Sequence, residues 1–329
     1  LFNYARMLKM NGNLKESVDA FNTFVRTYKG DNAKTYRIIA LNEIKGSKDA
    51  IKKTVYNEKI AIDYLNSIIN GKHIEFSPMV LNDSTIYYGS VKSDAQMLTS
   101  EDRKLYVAAK ASNSWQTTGL VEGAINNNGV NLANASISPD GTKLFYTNIT
   151  KSITNTLISE IYMLTLINGR WENPVKLNAN INKPNCINTQ PTIAYDLKDN
   201  TMVLYFVSDR KGGFGGKDIW YSVFDKKIND FSKAKNLGNR INTPGDEVTP
   251  YYDNDNRILY FSSNGLPGYG GLDVFSTSGE KSQWRKVINL GQPINSQVDE
   301  LYYTLNSFKD GGFFVSNRIE VNGSIAANC

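Results

Sequence analysis

Two pairs of adjacent carboxylates, Asp246-Glu247 and Asp299-Glu300, are the residues of this sequence best equipped for chemistry. Two acids flanking a glycosidic bond can share proton donation and nucleophilic attack. The pairs recur 53 positions apart, and recurrence points to a duty that every repeat needs, such as accepting hydrogen bonds from buried loop amides. No catalytic residue is therefore assigned. Gly212-Gly213-Phe214-Gly215-Gly216 has the glycine density of a phosphate-cradling loop, but such a loop should open a helix. Here it opens a strand at Asp218–Val223. The expected role is a hairpin connection in which Asp218, and Asp273 in a matching stretch, accept hydrogen bonds from turn amides.

Metal and nucleophile chemistry find little support. Asp253-Asn-Asp-Asn256 is oxygen-rich like a calcium loop, yet it lacks the glycine and distal glutamate of the helix-loop-helix pattern. A turn between strands is expected there, as at Asp196-Leu-Lys-Asp-Asn200. Cys186 and Cys329 lie far apart and lack the paired spacing of a zinc site; a disulfide between them stays open. His73 is the single histidine, and no Gly-X-Ser-X-Gly elbow offers it a nucleophile. Neither cofactor nor metal is expected.

Composition narrows the classes further. The chain has 329 residues, 40% of them hydrophobic, and a net charge of +5. Its basic residues are spread out and form no run, so nucleic acid is not an expected partner. Arginine and aromatics meet near Tyr205–Arg210, where alternating rings read as strand core. No apolar stretch is long enough for a membrane span. The chain begins at Leu1 inside a helical pattern, without an initiator Met or a signal peptide, so an upstream segment is expected.

The elements that must position these residues fall into two parts. Over 1–55, apolar residues recur at helical spacing (Leu1, Ala5, Leu8, then Val18, Phe21, Phe24 and Val25), with Gly12-Asn13 as the turn between two helices. A second stretch, Ala33–Ile51, is the next helix pair or a cap. Over 56–329, short runs of Tyr, Phe, Ile and Val alternate with Asn, Asp, Gly and Pro. The run from Leu204 to Trp220 repeats as Leu259 to Phe275, offset by 55 positions. Each is trailed by a connector, Asn236-Leu-Gly-Asn-Arg-Ile-Asn242 and Asn289-Leu-Gly-Gln-Pro-Ile-Asn295, which an earlier Leu177-Asn-Ala-Asn-Ile-Asn182 echoes. Units start near positions 74, 133, 189, 247 and 299. Repeats of this length holding several short strands match propeller blades. The sequence therefore predicts a mainly β chain: a β-propeller of about six blades, at least five of them visible, preceded by a short helical segment. Lys59–Leu65 is expected to pair with the last blade and close the ring. Trp115, Trp171, Trp220 and Trp284 are expected to cover blade cores.

The helical pattern Leu1…Ala5…Leu8…Gly12-Asn13-Leu14…Val18…Phe21…Phe24 resembles the tetratricopeptide repeat. Ser138-Pro-Asp-Gly-Thr-Lys-Leu-Phe-Tyr146 and the repeated Leu-Tyr-Phe…Gly-Gly-X-Gly-Gly-X-Asp resemble TolB-type, WD-repeat-like blades. With the Asn-Leu-Gly-X-X-Ile-Asn connector they are similar to propellers of Bacteroidetes envelope proteins. The match is closest to the OmpA-associated type linked to type IX secretion and gliding. The likeness covers 1–50 loosely and 74–318 well, and fades over Ser90–Asn131.

That resemblance implies a periplasmic protein at the outer membrane, a lipoprotein in its full length. Its expected partners are other envelope proteins of a secretion complex, and peptidoglycan only through a domain not present in this chain. The expected function is a non-catalytic protein-binding scaffold, with the partner-binding face unassigned. The alternatives are a propeller hydrolase or lyase acting on glycans or peptides, and a glycan- or peptidoglycan-binding module. A hydrolase would need a pocket with convergent polar side chains that do not repeat.

Overall fold

The second strand of each full repeat carries an apolar run, longest in Met202–Ser208, and such a run suits a strand buried on both faces. A computed structural model shows why. Val203, Tyr205 and Val207 face one neighbouring sheet while Leu204 and Phe206 face the other, so alternate side chains feed two separate cores. The structure describes residues 1–52, 57–71, 73–91, 103–112, 114–318, 320–321 and 324–325. Cys329 and part of the irregular Ser90–Asn131 stretch lie outside these.

Four antiparallel sheets follow one another. The first comprises β1 (Glu75–Asn82), β2 (Thr85–Val91), β3 (Arg103–Ala111) and β4 (Ser114–Leu120); the second, β5 (Leu132–Ile137), β6 (Lys143–Lys151), β7 (Leu157–Ile167) and β8 (Arg170–Lys176). The third comprises β9 (Asn188–Tyr195), β10 (Met202–Ser208) and β11 (Asp218–Asp225), with short β12 (Asp230–Phe231) and β13 (Lys235–Asn236). The fourth comprises β14 (Glu247–Asp253), β15 (Ile258–Ser263) and β16 (Asp273–Glu280), with short β17 (Gln283–Trp284) and β18 (Ile288–Asn289). A two-stranded sheet follows, β19 (Glu300–Leu305) with β20 (Gly312–Ser316), and then a small hairpin of β21 (Glu320–Val321) and β22 (Ser324–Ile325). The first strands β1, β5, β9, β14 and β19 neighbour one another in turn, and β19 returns to β1.

The ring thus holds four complete blades and a two-stranded fifth sheet, not about six blades. The five unit starts read from the sequence coincide with the five inner strands. Lys59–Leu65 forms no strand. That segment contributes by packing instead: Leu65 and Ile69 join Ile86, Tyr88, Trp115 and Phe313 in a cluster between the first blade and β20.

The connectors carry a repeated device. Asn242 accepts a hydrogen bond from the Ile219 N–H (2.9 Å) and donates one to the Ile219 C=O (2.9 Å). Asn295 does the same with Val274, Asn182 with Ile161 and Asn126 with Leu105. Each amide therefore satisfies both main-chain groups of one buried third-strand residue. The Asn126 copy, Val121-Glu-Gly-Ala-Ile-Asn126, escaped the sequence reading because Gly123 and Ala124 replace its familiar middle. Trp171, Trp220 and Trp284 are buried as expected.

Three helices precede the ring: α1 (Phe2–Met10), α2 (Leu14–Thr27) and α3 (Ala33–Lys52). Gly12 adopts a φ of +79° in the α1–α2 turn, as its residue type allows. Ala33–Ile51 forms one long helix rather than a helix pair. Ala5, Val18, Phe21, Phe24, Ala40 and Ile44 give the three helices a core of their own. Helix α3 then lies directly on the fourth blade, where a Cβ at Gly46 would come within 1.9 Å of the Gly268 carbonyl oxygen.

Candidate functional site

The repeated acids sit at the starts of the inner strands, and their hydrogen bonds define their work. Glu247 is fully buried; its carboxylate takes bonds from the Thr243 N–H (2.7 Å), the Thr243 hydroxyl (2.6 Å) and the Ser263 hydroxyl (2.7 Å). Glu300 repeats this with the Ser296 N–H (2.9 Å) and hydroxyl (2.5 Å), the Ser316 hydroxyl (3.1 Å) and Arg318 (3.2 Å). Glu75 takes one from Ser90 (3.2 Å). Asp246 and Asp299 instead bind the Lys217 and Leu272 amides of the preceding blade, both at 2.8 Å. Burial pushes the carboxyls of Glu247 and Glu300 up to about 7, since a charge removed from water is disfavoured.

The other acids are also accounted for. Asp218 and Asp273 hold the amides of Phe214 (2.7 Å) and Tyr269 (2.7 Å), the glycine-turn role read from the sequence. Asp253 and Asp255 both meet the Lys309 ammonium, at 2.7 and 2.5 Å, and Asp196 meets Lys281. These turns link neighbouring blades, and no cluster of metal-ligating side chains occurs among the described residues. His73 sits half-buried in the bend before β1, and Cys186 is a half-buried free thiol.

A different set of residues converges on the axis. Ser77, Gln190, Thr249 and Tyr302 are each the third residue of an inner strand, and each adopts a left-handed φ of 49 to 56°. Non-glycine residues avoid this region, β-branched threonine most of all, and each such position costs on the order of 1–3 kcal/mol. The strand bulges there, with register breaks beside Ser77, Thr249 and Tyr302. Side chains are thereby aimed into a cavity of about 110 Å³ on the ring axis.

Asn134, from β5, completes the set. Its amide donates to the Tyr302 hydroxyl (2.5 Å) and accepts from Thr189 (2.8 Å). Gln190 accepts from the Thr249 N–H (2.7 Å), and Ser77 bonds the Ala135 main chain (3.2 Å). Burial raises the Tyr302 phenol to about 12, opposed by the hydrogen bonds from Gln190 and Asn134. No lining residue carries a charge at neutral pH; amides, hydroxyls, prolines and tyrosines share the wall with the aliphatic side chains of Met79, Val80, Ala135, Ile137 and Leu305. The backbone device repeats on four strands while the side chains differ, Ser, Gln, Thr and Tyr, and β5 offers Asn134 without it. That is the reverse of the connector asparagines, whose identity is constant because their job is structural. Sequence reasoning missed this set, since φ is invisible in residue types that are ordinary for a strand.

No protein-family model matches the sequence, and no curated protein does. Solved structures do share its architecture. A levansucrase in complex with sucrose aligns at a TM-score of 0.52 and 11% identity, over 85% of this chain and 88% of its own. The Bacillus subtilis levansucrase aligns at 0.50 and 10%, over 87% and 89%. A thermostable family-43 glycoside hydrolase aligns at 0.48 and 14%, over 77% and 86%. At these identities the likeness is one of fold. It corrects two expectations, the non-catalytic protein-binding scaffold and the absence of enzyme activity. The first rested on the family resemblance and the second on acid pairs that recur with the repeat, with no view of an axial pocket.

Proposed function

We propose that the protein is a glycan-directed propeller that takes the terminal residue of a neutral saccharide in its axial pocket. The carrying observation is the set of four strained, non-repeating residues Ser77, Gln190, Thr249 and Tyr302 around the axis, with unstrained Asn134 beside them. Strain concentrated at equivalent positions with varied side chains marks a site more than a scaffold need. Uncharged amides and hydroxyls beside tyrosine rings suit sugar hydroxyls, which both donate and accept hydrogen bonds, and suit ions poorly. A cavity of about 110 Å³ lies below the roughly 300–1,000 Å³ of sites that engulf a whole ligand. It therefore takes one end of a chain.

Glycosidic-bond cleavage is a second reading, favoured by Glu247 and Glu300. Carboxyls raised to about 7 are about half protonated at neutral pH, which keeps a general acid in supply. To act, they would have to leave their Thr243, Ser263, Ser296 and Ser316 partners. A periplasmic setting beside other envelope proteins is part of the proposal and rests on the sequence resemblance alone.

The test is calorimetric titration of the full chain with neutral oligosaccharides, including fructan, arabinan and xylan fragments, alongside a reducing-sugar assay. Binding that weakens at least tenfold in Gln190→Ala and Asn134→Ala is expected. No heat with any saccharide at millimolar concentration overturns the proposal. Turnover that survives in both Glu247→Gln and Glu300→Gln removes these acids from the second reading.

A further inference from the structure

The glycine turns of the third and fourth blades are internal twins with opposite surroundings. In each, an aspartate holds two turn amides: Asp218 those of Phe214 and Gly215, Asp273 those of Tyr269 and Gly270. In each, a Cβ added at the second glycine, Gly213 or Gly268, would strike that aspartate at 2.3 or 2.1 Å. The third and fourth turn residues also lean on the next connector in the same way. The two turns therefore hold one shape by their own hydrogen bonds.

Only one of them is covered. On the fourth blade, α1 and α3 sit on the turn: the Lys9 ammonium donates to the Gly270 C=O (2.9 Å) and to Glu43 (2.6 Å). Asn42 reaches the Gly265 C=O (2.7 Å), and Gly46 lies against Gly268. Lys9 is buried, and its charge opposes the burial that lifts the Asp273 carboxyl. Tyr269 is consequently 4% exposed, whereas its twin Phe214 is 48% exposed. Residues 211–216 are all exposed, and among the described residues no helix side chain is seen to bond the Gly215 main chain, the counterpart of Gly270.

We propose that the turn of residues 211–217 is a second helix seat, built to receive a helical hairpin of another polypeptide that is made like α1 and α3. The occupant is specified by the filled twin. It presents a glycine or alanine where α3 has Gly46, so that main chain can approach main chain. It also presents a lysine where α1 has Lys9, to bond the Gly215 carbonyl and offset the Asp218 carboxylate. Cover of this kind would bury the Phe214 ring, which the turn's own hydrogen bonds leave projecting into water. The seat is separate from the axial pocket and independent of what that pocket binds.

The test appends a second copy of residues 1–52 to the N-terminus of the full chain through a long Gly-Ser linker. The tether supplies a high local concentration of the one hairpin known to fit such a turn. Hydroxyl-radical labelling then reads the exposure of Phe214. Labelling is expected to fall about tenfold, as the change from 48% to the 4% of Tyr269 implies. It should return when Lys9→Met is made in the appended copy alone. Unchanged Phe214 labelling overturns the proposal, and so does protection that persists with the lysine removed.

Discussion

Replacing Asn242 by alanine tests the reasoning that the connector asparagines bind the ring together. Asn242 is 1% exposed, and Ile219, whose N–H and C=O it satisfies, is fully buried. Alanine leaves the Ile219 N–H without a partner, removes one of the two bonds to the Ile219 C=O, which keeps the Leu237 N–H (3.2 Å), and removes a bond to Asn236 (2.8 Å). One buried orphan costs about 1–3 kcal/mol and each further lost bond about 0.5–1.5 kcal/mol, so the sum is about 2–6 kcal/mol. For a domain of this size that corresponds to a fall in Tm on the order of 5–15 °C. Scanning calorimetry of the full chain reads it directly. Asn239→Ala, an exposed change in the same connector, is the control and should stay within about 0.5 kcal/mol of wild type. A loss for Asn242→Ala no larger than the control's would show that water or main-chain shifts satisfy Ile219. The account of the repeated connector would then fail.

Two further predictions concern buried charge. Lys9→Met leaves the buried Glu43 carboxylate with Arg6 alone (2.8 Å) and takes away the cation that opposes the burial of Asp273, a loss on the order of 3 kcal/mol, the low end for a broken buried pair. Limited proteolysis should then release the helical segment much faster, and an unchanged cleavage rate would refute the seat geometry. The glutamates predict the pH profile. Burial holds Glu247 and Glu300 near 7 in the folded chain against about 4.3 unfolded, so the folded state binds more protons between those values. Their stability contribution is full below about pH 4 and is lost as pH rises through 7. Urea midpoints should fall by the equivalent of a few kcal/mol from pH 5.5 to pH 8.5. Asp140, Asp196 and Asp253, whose carboxyls are held low, act in the opposite sense only in stronger acid. A midpoint that climbs across that range would contradict the buried, protonated glutamates.

The parts of this molecule legible in the sequence are those where one residue type answers one repeated need. Leu204-Tyr-Phe and Leu259-Tyr-Phe announce a strand buried on both faces, and Ile-Asn announces the end of a connector. Asp218 and Asp273 were read as turn acceptors from spacing alone. Ring size was harder, because the fifth sheet has two strands among the described residues and Lys59–Leu65 packs where pairing was expected. The axial set was hidden for a different reason. Gln190 and Thr249 are unremarkable strand residues until the main chain turns left-handed beneath them. Gly46 offered an unused signal, since glycine in mid-helix is disfavoured unless something must come close.

The left-handed inner residues have one more consequence. Main-chain geometry, set by the sheets, dictates where these side chains go, so positions 77, 190, 249 and 302, with their neighbour 134, can be exchanged with little effect on the strands that carry them. A combinatorial library confined to these five codons would explore new specificities on an unchanged body, and lineages drifting between targets could travel by the same short route.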